Sequence, residues 1–140
     1  MTIDYIVNPT LTTDGFIDLL NRSTLGVRRP VDDEECIRGM LNHANLVVAA
    51  YEDKKLVGIA RCVTDFHYCC YLSDLAVDEA YQKRGIGLEL IRHTQMKIGL
   101  KCKIILLSAP AAVDYYPHIG FEQHPQAWVL KQPVASMRKK

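Results

Sequence analysis

Two apolar runs, NLVVAAY at 45–51 and LVGIARCV at 56–63, are separated only by the polar EDKK. Both are rich in β-branched and small apolar side chains, and so short a polar spacer predicts a β-hairpin. A third run, CCYLSDLAV at 69–77, follows a polar turn around TDFHY and extends the hairpin into an antiparallel meander. This meander is the strongest constraint on the fold, because a sheet of this kind needs a cover for its apolar face.

The period then changes. Ile86, Leu88, Leu90, Ile91 and Met96 support a helix from Gly85 to about Ile98. KIILLSA at 103–109 reads as a buried strand. The strand–helix–strand unit from Leu72 to Ala109 predicts two parallel, adjacent strands. PAAVDYY reads as a short helix opening on Pro110, ended by Gly120, and FEQHPQAWVL as a last strand interrupted or edge-like at Pro125. Upstream, Phe16, Ile17, Leu19 and Leu20 suggest a helix starting near Thr12 or Thr13, and Asp32 is expected to cap a second helix with Glu35 reaching back. The fold class is mixed α/β.

The 140 residues are expected to form one domain, 1–132, followed by a short basic tail, 133–140, ending in SMRKK. A hydrophobic share of 49% and a net charge of +1 fit a globular protein and give no global steering toward nucleic acid or anionic membrane. The start, MTIDYIVNPTLTTDG, does not read as a signal peptide, and no run is apolar for long enough to suggest a membrane span. The five cysteines form no C-x-x-C pair, and the five histidines show no ligand spacing. No metal site is expected, and a reduced, cytoplasmic setting fits best.

AYQKRGIGLEL at 80–90 raises the question of a phosphate site. A dinucleotide fingerprint would need a third glycine where Leu90 stands, and no P-loop run is present. A helix opening on Gly85 after a tight connection fits better. Its first backbone amides, left unpaired by the helix, point into one concavity suited to a pyrophosphate.

DLAVDEAYQKRGIGLELI resembles the central motif of the GCN5-related N-acetyltransferases (GNAT family), with Gln82, Gly85 and Gly87 at the motif positions. YYPHIGF resembles the segment, commonly FYEKLGF, found toward the C-terminus of that family. The resemblance implies a central twisted mixed sheet flanked by helices, with an antiparallel N-terminal meander and a parallel strand pair that splays apart. It implies acetyl-CoA as co-substrate, its pantetheine arm along Leu75, Ala76 and Val77, and its pyrophosphate on the amides of Lys83, Arg84, Gly85, Ile86, Gly87 and Leu88, near Gln82. By the same match Tyr116 is the acid that protonates the departing thiolate.

Asp74, beside Leu75, is a candidate base, with His67, Asp114 and a water relay as alternatives. Arg28 and Arg29, between the first two helices where the family often builds its acceptor pocket, are candidates for a carboxylate or phosphate on the acceptor. Their plainer role is in a charged loop. Ala109 stands where many members carry an asparagine that contacts the cofactor, so a side-chain contact is missing there. Cys69 and Cys70 beside His67 invite a covalent route, but adjacent strand residues face opposite ways, and buried or rim cysteines are preferred. The expected function is direct acetyl transfer to a primary amine of a small molecule, by a monomer or homodimer. The alternatives are a CoA-binding module without transferase activity and a protein or peptide N-acetyltransferase.

Overall fold

A computed structural model describes residues 2–134. Residues 135–140 of the expected basic tail lie outside the described residues. The chain forms two compact units, Met1–Ala109 and Pro110–Lys140.

In the first unit the expected hairpin is β2, Leu46–Glu52, paired with β3, Lys55–Thr64. The turn closes at Glu52↔Lys55, with Asp53 at φ 53°, a left-handed position that aspartate tolerates. β4, Cys69–Val77, continues the meander against β3. The intervening turn is held by Asp65, whose carboxylate accepts the amides of His67, Tyr68 and Cys69. Those three amides hold its carboxyl at about 2. A strand missing from the sequence reading, β1 at Ile3–Val7, pairs antiparallel with β2 at the sheet edge. Its outward Ile6 masks the polar–apolar alternation that would have marked it.

α1, Thr13–Arg22, starts as expected, with Thr12 Oγ1 accepting the Gly15 amide at 2.9 Å. α2, Glu34–His43, is capped by Asp33, not Asp32: Asp33 Oδ1 accepts the Cys36 amide at 3.1 Å. The turn of Asp33 N–H onto the Pro30 carbonyl delays the helix by one residue. Phe16, Leu19 and Leu20 of α1 and Ile37 of α2 pack on Val47, Ile59 and Ala76 of the sheet.

α3, Ile86–Ile98, packs against β2, β3 and β4. Gly58 sets its approach, because a Cβ there would stand 3.2 Å from both Ile86 Cγ2 and Leu90 Cδ1. β5, Lys103–Ile105, runs parallel to β4, completing a five-stranded mixed sheet in the order β1-β2-β3-β4-β5. It is shorter than the expected 103–109, and only Ile104 of its residues is even half-buried.

The second unit holds a 3-10 turn at Pro110–Ala112 and α4, Tyr115–His118. Gly120, at φ 100°, follows. The expected strand over 121–130 is not formed. Pro125 sits in a turn in which the Ala127 amide reaches the His124 carbonyl and the Gln126 amide reaches His124 Nδ1.

Candidate functional site

β4 and β5 are paired only at Cys69↔Lys103, Cys70↔Ile104 and Tyr71↔Ile105. β5 then ends, while β4 runs on to Val77 with β3 as its only strand neighbour among the described residues. From Leu72 onward one edge of β4 is therefore open. An edge of this kind can take an added extended chain by main-chain hydrogen bonding.

A bulge lies at the start of the open edge. Arg61 pairs with Asp74 and Cys62 with Leu72, leaving Ser73 without an opposite residue. Directly paired residues share a sheet face, so the bulge moves the buried series of β4 from one face to the other. Leu72 follows Cys62, whose thiol engages Thr94 of α3, whereas Asp74 and Ala76 lie on the α1 side with Ile59.

The connection from β4 to α3 is anchored at three points. Asp78 Oδ1 accepts the Ala80 amide at 2.9 Å, and Arg22 Nη1 reaches Asp78 Oδ2 at 2.6 Å. Gln82 Nε2 donates to the Val77 carbonyl at 3.1 Å, which spends the motif glutamine on the backbone at the end of β4. Tyr81 is buried, with its hydroxyl on Glu52 and its ring under Lys55 and Arg84. That hydrogen bond to Glu52 and burial raise its phenol above the ordinary value.

Lys83 at φ 65° and Gly85 at φ 79° then turn the chain into α3. The first backbone bond of the helix is Glu89 N–H to the Gly85 carbonyl at 3.1 Å. The amides of Lys83, Gly85, Ile86, Gly87 and Leu88 have no acceptor among the described residues. These are the orphan donors of a helix start, preceded by the two left-handed residues Lys83 and Gly85. They fit a pyrophosphate, and the open β4 edge fits an extended amide-bearing arm.

Asp74 is wholly buried and does not stand open to a substrate. Arg29 Nε donates to its Oδ1 at 2.5 Å, and Arg61 Nε donates to its Oδ2. Both oxygens are thus held by guanidinium groups, and the expected base is a carboxylate locked in an ionic cluster. Arg29 is committed too: Nη2 donates to the Ser73 carbonyl at 2.9 Å and Nη1 to the Arg28 carbonyl at 3.0 Å. Arg28 is exposed in a 3-10 turn, Gly26–Arg28. Sequence reasoning missed Arg61 and Ser73. An arginine inside the apolar run LVGIARCV was the available signal.

His67 is an exposed residue of the Asp65 turn. Cys70 is buried and Cys69 exposed. In the second unit Tyr116 packs edge-on against Tyr115 and Phe121, each with ring centres 5.3 Å apart. Burial, with Tyr115 adding to it, pushes its phenol above the ordinary value, so the group carries its proton. Among the described residues no three His, Cys, Asp or Glu side chains converge as a metal site, and no helix is long and apolar enough to cross a membrane.

A mixed sheet whose parallel pair ends at Tyr71↔Ile105, beside a helix start rich in unpaired amides, defines an α/β protein with an open strand edge next to an anion-binding helix start. Residues 22–132 match the family model described as acetyltransferase (GNAT) domain. The chain belongs to the GCN5-related N-acetyltransferases, a family of acyltransferase enzymes.

It is 34% identical over 80 residues to GCN5-related N-acetyltransferase 2, chloroplastic, of Arabidopsis thaliana, an overlap of 54% of this chain and 30% of that protein. The match spans about a third of the length of this and two other curated relatives. Its fold is shared with the GNAT family protein SP0256 of Streptococcus pneumoniae, with TM-score 0.73, 20% identity, and 94% and 100% of the two chains covered. Aminoglycoside N-acetyltransferase AAC(6′)-Iy in complex with CoA is similar at TM-score 0.71 and 16% identity, covering 95% of this chain and 96% of that one.

Proposed function

We propose that this protein is an acetyl-CoA-dependent N-acetyltransferase that moves an acetyl group to the primary amine of a small molecule by direct attack in a ternary complex. The observation that carries the reading is the open β4 edge leading, through one anchored connection, to the acceptor-less amides of Lys83, Gly85, Ile86, Gly87 and Leu88. Acetyl-CoA supplies the activated acetyl group as a thioester.

The residues of this chain do the rest. The backbone of Leu75, Ala76 and Val77 pairs with the pantetheine arm. The amides from Lys83 to Leu88 bind the pyrophosphate, with Lys83 and Arg84 adding positive charge near it. Gln82 holds the end of β4 in place by its bond to the Val77 carbonyl. A β4 amide at or near Leu75 faces the thioester oxygen and stabilises negative charge as it develops. Tyr116 holds a proton on its phenol for the departing thiolate. Asp74, bound by two arginines, positions the strand and does not accept a proton; the amine loses its proton through water. The small-molecule acceptor is supported by likeness in fold to an aminoglycoside acetyltransferase. Arg28, exposed within the α1–α2 connection, is the side chain available to an acceptor that carries a carboxylate or phosphate.

Free-thiol release from acetyl-CoA tests this reading against polyamines, aminoglycosides, amino acids and peptides. Release with a small amine is expected. CoA binding without release for any of them would leave a binding module, and release with peptides alone would make the acceptor a protein.

A further inference from the structure

Arg29 comes from the connection between α1 and α2 and meets β4 at its bulge, 45 residues away in sequence. It engages both halves of the bulge, the Ser73 carbonyl and the Asp74 carboxylate. Arg61 engages the same two residues from the neighbouring strand, through Ser73 Oγ at 2.9 Å and the other Asp74 oxygen, and ties the Met40 carbonyl of α2 at 3.1 Å.

We infer that Arg29 is a positioning residue that locks the α1–α2 connection to the bulge of β4, and thereby sets the direction of the β4 amides from Leu75 onward. The inference rests on the acetyl-transfer reading, since it concerns how the donor strand is held.

Three observations support it. The bulge leaves Ser73 outside the strand ladder, so the peptide before Asp74 needs another partner, and Arg29 donates to its carbonyl. The cluster has two cations for one anion, so it holds one more guanidinium than neutrality requires. The two cations also differ in burial: the Arg61 side chain is 8% exposed and Arg29 21%. Arg61 is the core partner that compensates the buried carboxylate. Removing Arg29 leaves a neutral Arg61–Asp74 couple with the more buried guanidinium in place, whereas removing Arg61 leaves the carboxylate to the more exposed arginine and removing Asp74 strands a buried positive charge. Arg29 is therefore the member whose loss loosens geometry without removing the fold's charge compensation. The same contacts join the segment proposed to meet the acceptor to the strand proposed to meet the donor, so one side chain sets their relative position.

The test compares wild type, Arg29→Ala and Arg29→Lys by amide hydrogen exchange, by calorimetric titration with CoA, and by thiol release with the amine that wild type uses best. Arg29→Ala is expected to speed exchange at both 23–33 and 72–77. It is expected to lower kcat about tenfold, part of the ~100-fold that a 1 Å misplacement can cost, and to weaken CoA binding several-fold, because the same β4 amides pair with the pantetheine arm. Arg29→Lys, which keeps the charge but not the fork, is expected to recover part of the loss. Faster exchange confined to 23–33, with β4 protection and kcat unchanged, would overturn the inference. Should wild type release no thiol with any amine, the transferase reading fails, and exchange at 72–77 still decides whether Arg29 holds the bulge.

Discussion

Arg22 Nη1 lies 2.6 Å from Asp78 Oδ2, joining the last residue of α1 to the first residue after β4. The same guanidinium donates to the Leu56 carbonyl at 2.8 Å, and the Asp78 amide donates to the Val57 carbonyl at 2.9 Å. The connection that leads to the acceptor-less amides at the start of α3 is thus pinned to β3 and α1 before it turns. Long-range contacts give this part of the site its shape, with Lys83 and Gly85 supplying the final turn.

Asp78 makes this anchoring pH-dependent. Burial raises its carboxyl, but the Ala80 amide, Arg22 and Lys55 outweigh that and hold it below the usual carboxylate range. A depressed folded value means that the stability it contributes is complete above the unfolded value of ~3.9 and is lost as pH falls through the folded one. Asp78→Asn is expected to cost about 1.5–3 kcal/mol at neutral pH, the range for a hydrogen bond to a charged group. Urea unfolding at neutral pH and again below pH ~4 should show the gap from wild type closing. An equal gap at both would assign the loss to packing and not to charge.

Gly85 is needed for its dihedral and not for space. Its φ is 79°, and a Cβ built there meets nothing within 4 Å. Gly85→Ala is expected to cost about 1–2 kcal/mol of stability and to weaken CoA binding, since an L-residue is pushed out of the left-handed region. Gly85→Asn should cost less, because asparagine visits that region more readily. Thermal unfolding and CoA titration of the two variants check this, and equal losses for Ala and Asn would remove the dihedral as the cause.

Tyr116→Phe is expected to lower kcat about a hundredfold, within the range for a lost general acid, while leaving acetyl-CoA affinity unchanged. The phenol is an acid only while protonated, and burial raises its pKa. Activity that depends on it should therefore persist up to and beyond pH ~10 and fall above that. A kcat profile for wild type and variant tests both parts. Equal kcat, or a high-pH fall shared by the two, would take the role away from Tyr116.

Most of the fold is legible in the chain because its signals are local. Three apolar runs with short polar spacers give the meander, and the change of period at Gly85 gives the helix. Thr12 caps α1 as its position suggests. The misses have separate causes. β1 is a short edge strand whose exposed face carries the apolar Ile6, so its alternation is weak. The segment 121–130 has strand-like side chains, but Pro125 sits in a local turn that takes up neighbouring amides.

Asp74 marks the boundary between the two kinds of information. The sequence by itself determined that Asp74 stands on a strand next to Leu75, that an amide-rich helix start follows, and that the chain carries the family's motif at Gln82, Gly85 and Gly87. Strand alternation alone cannot say which face Asp74 takes, because one extra residue in the ladder reverses it. The bulge at Ser73 reverses it, turning Asp74 into the layer beneath α1, where Arg29 and Arg61 converge on it from 45 and 13 residues away. Only the tertiary structure brings these three charges together. A buried carboxylate is tolerable only where cations meet it, and which cations do so is settled by packing across the sheet and not by neighbours along the chain.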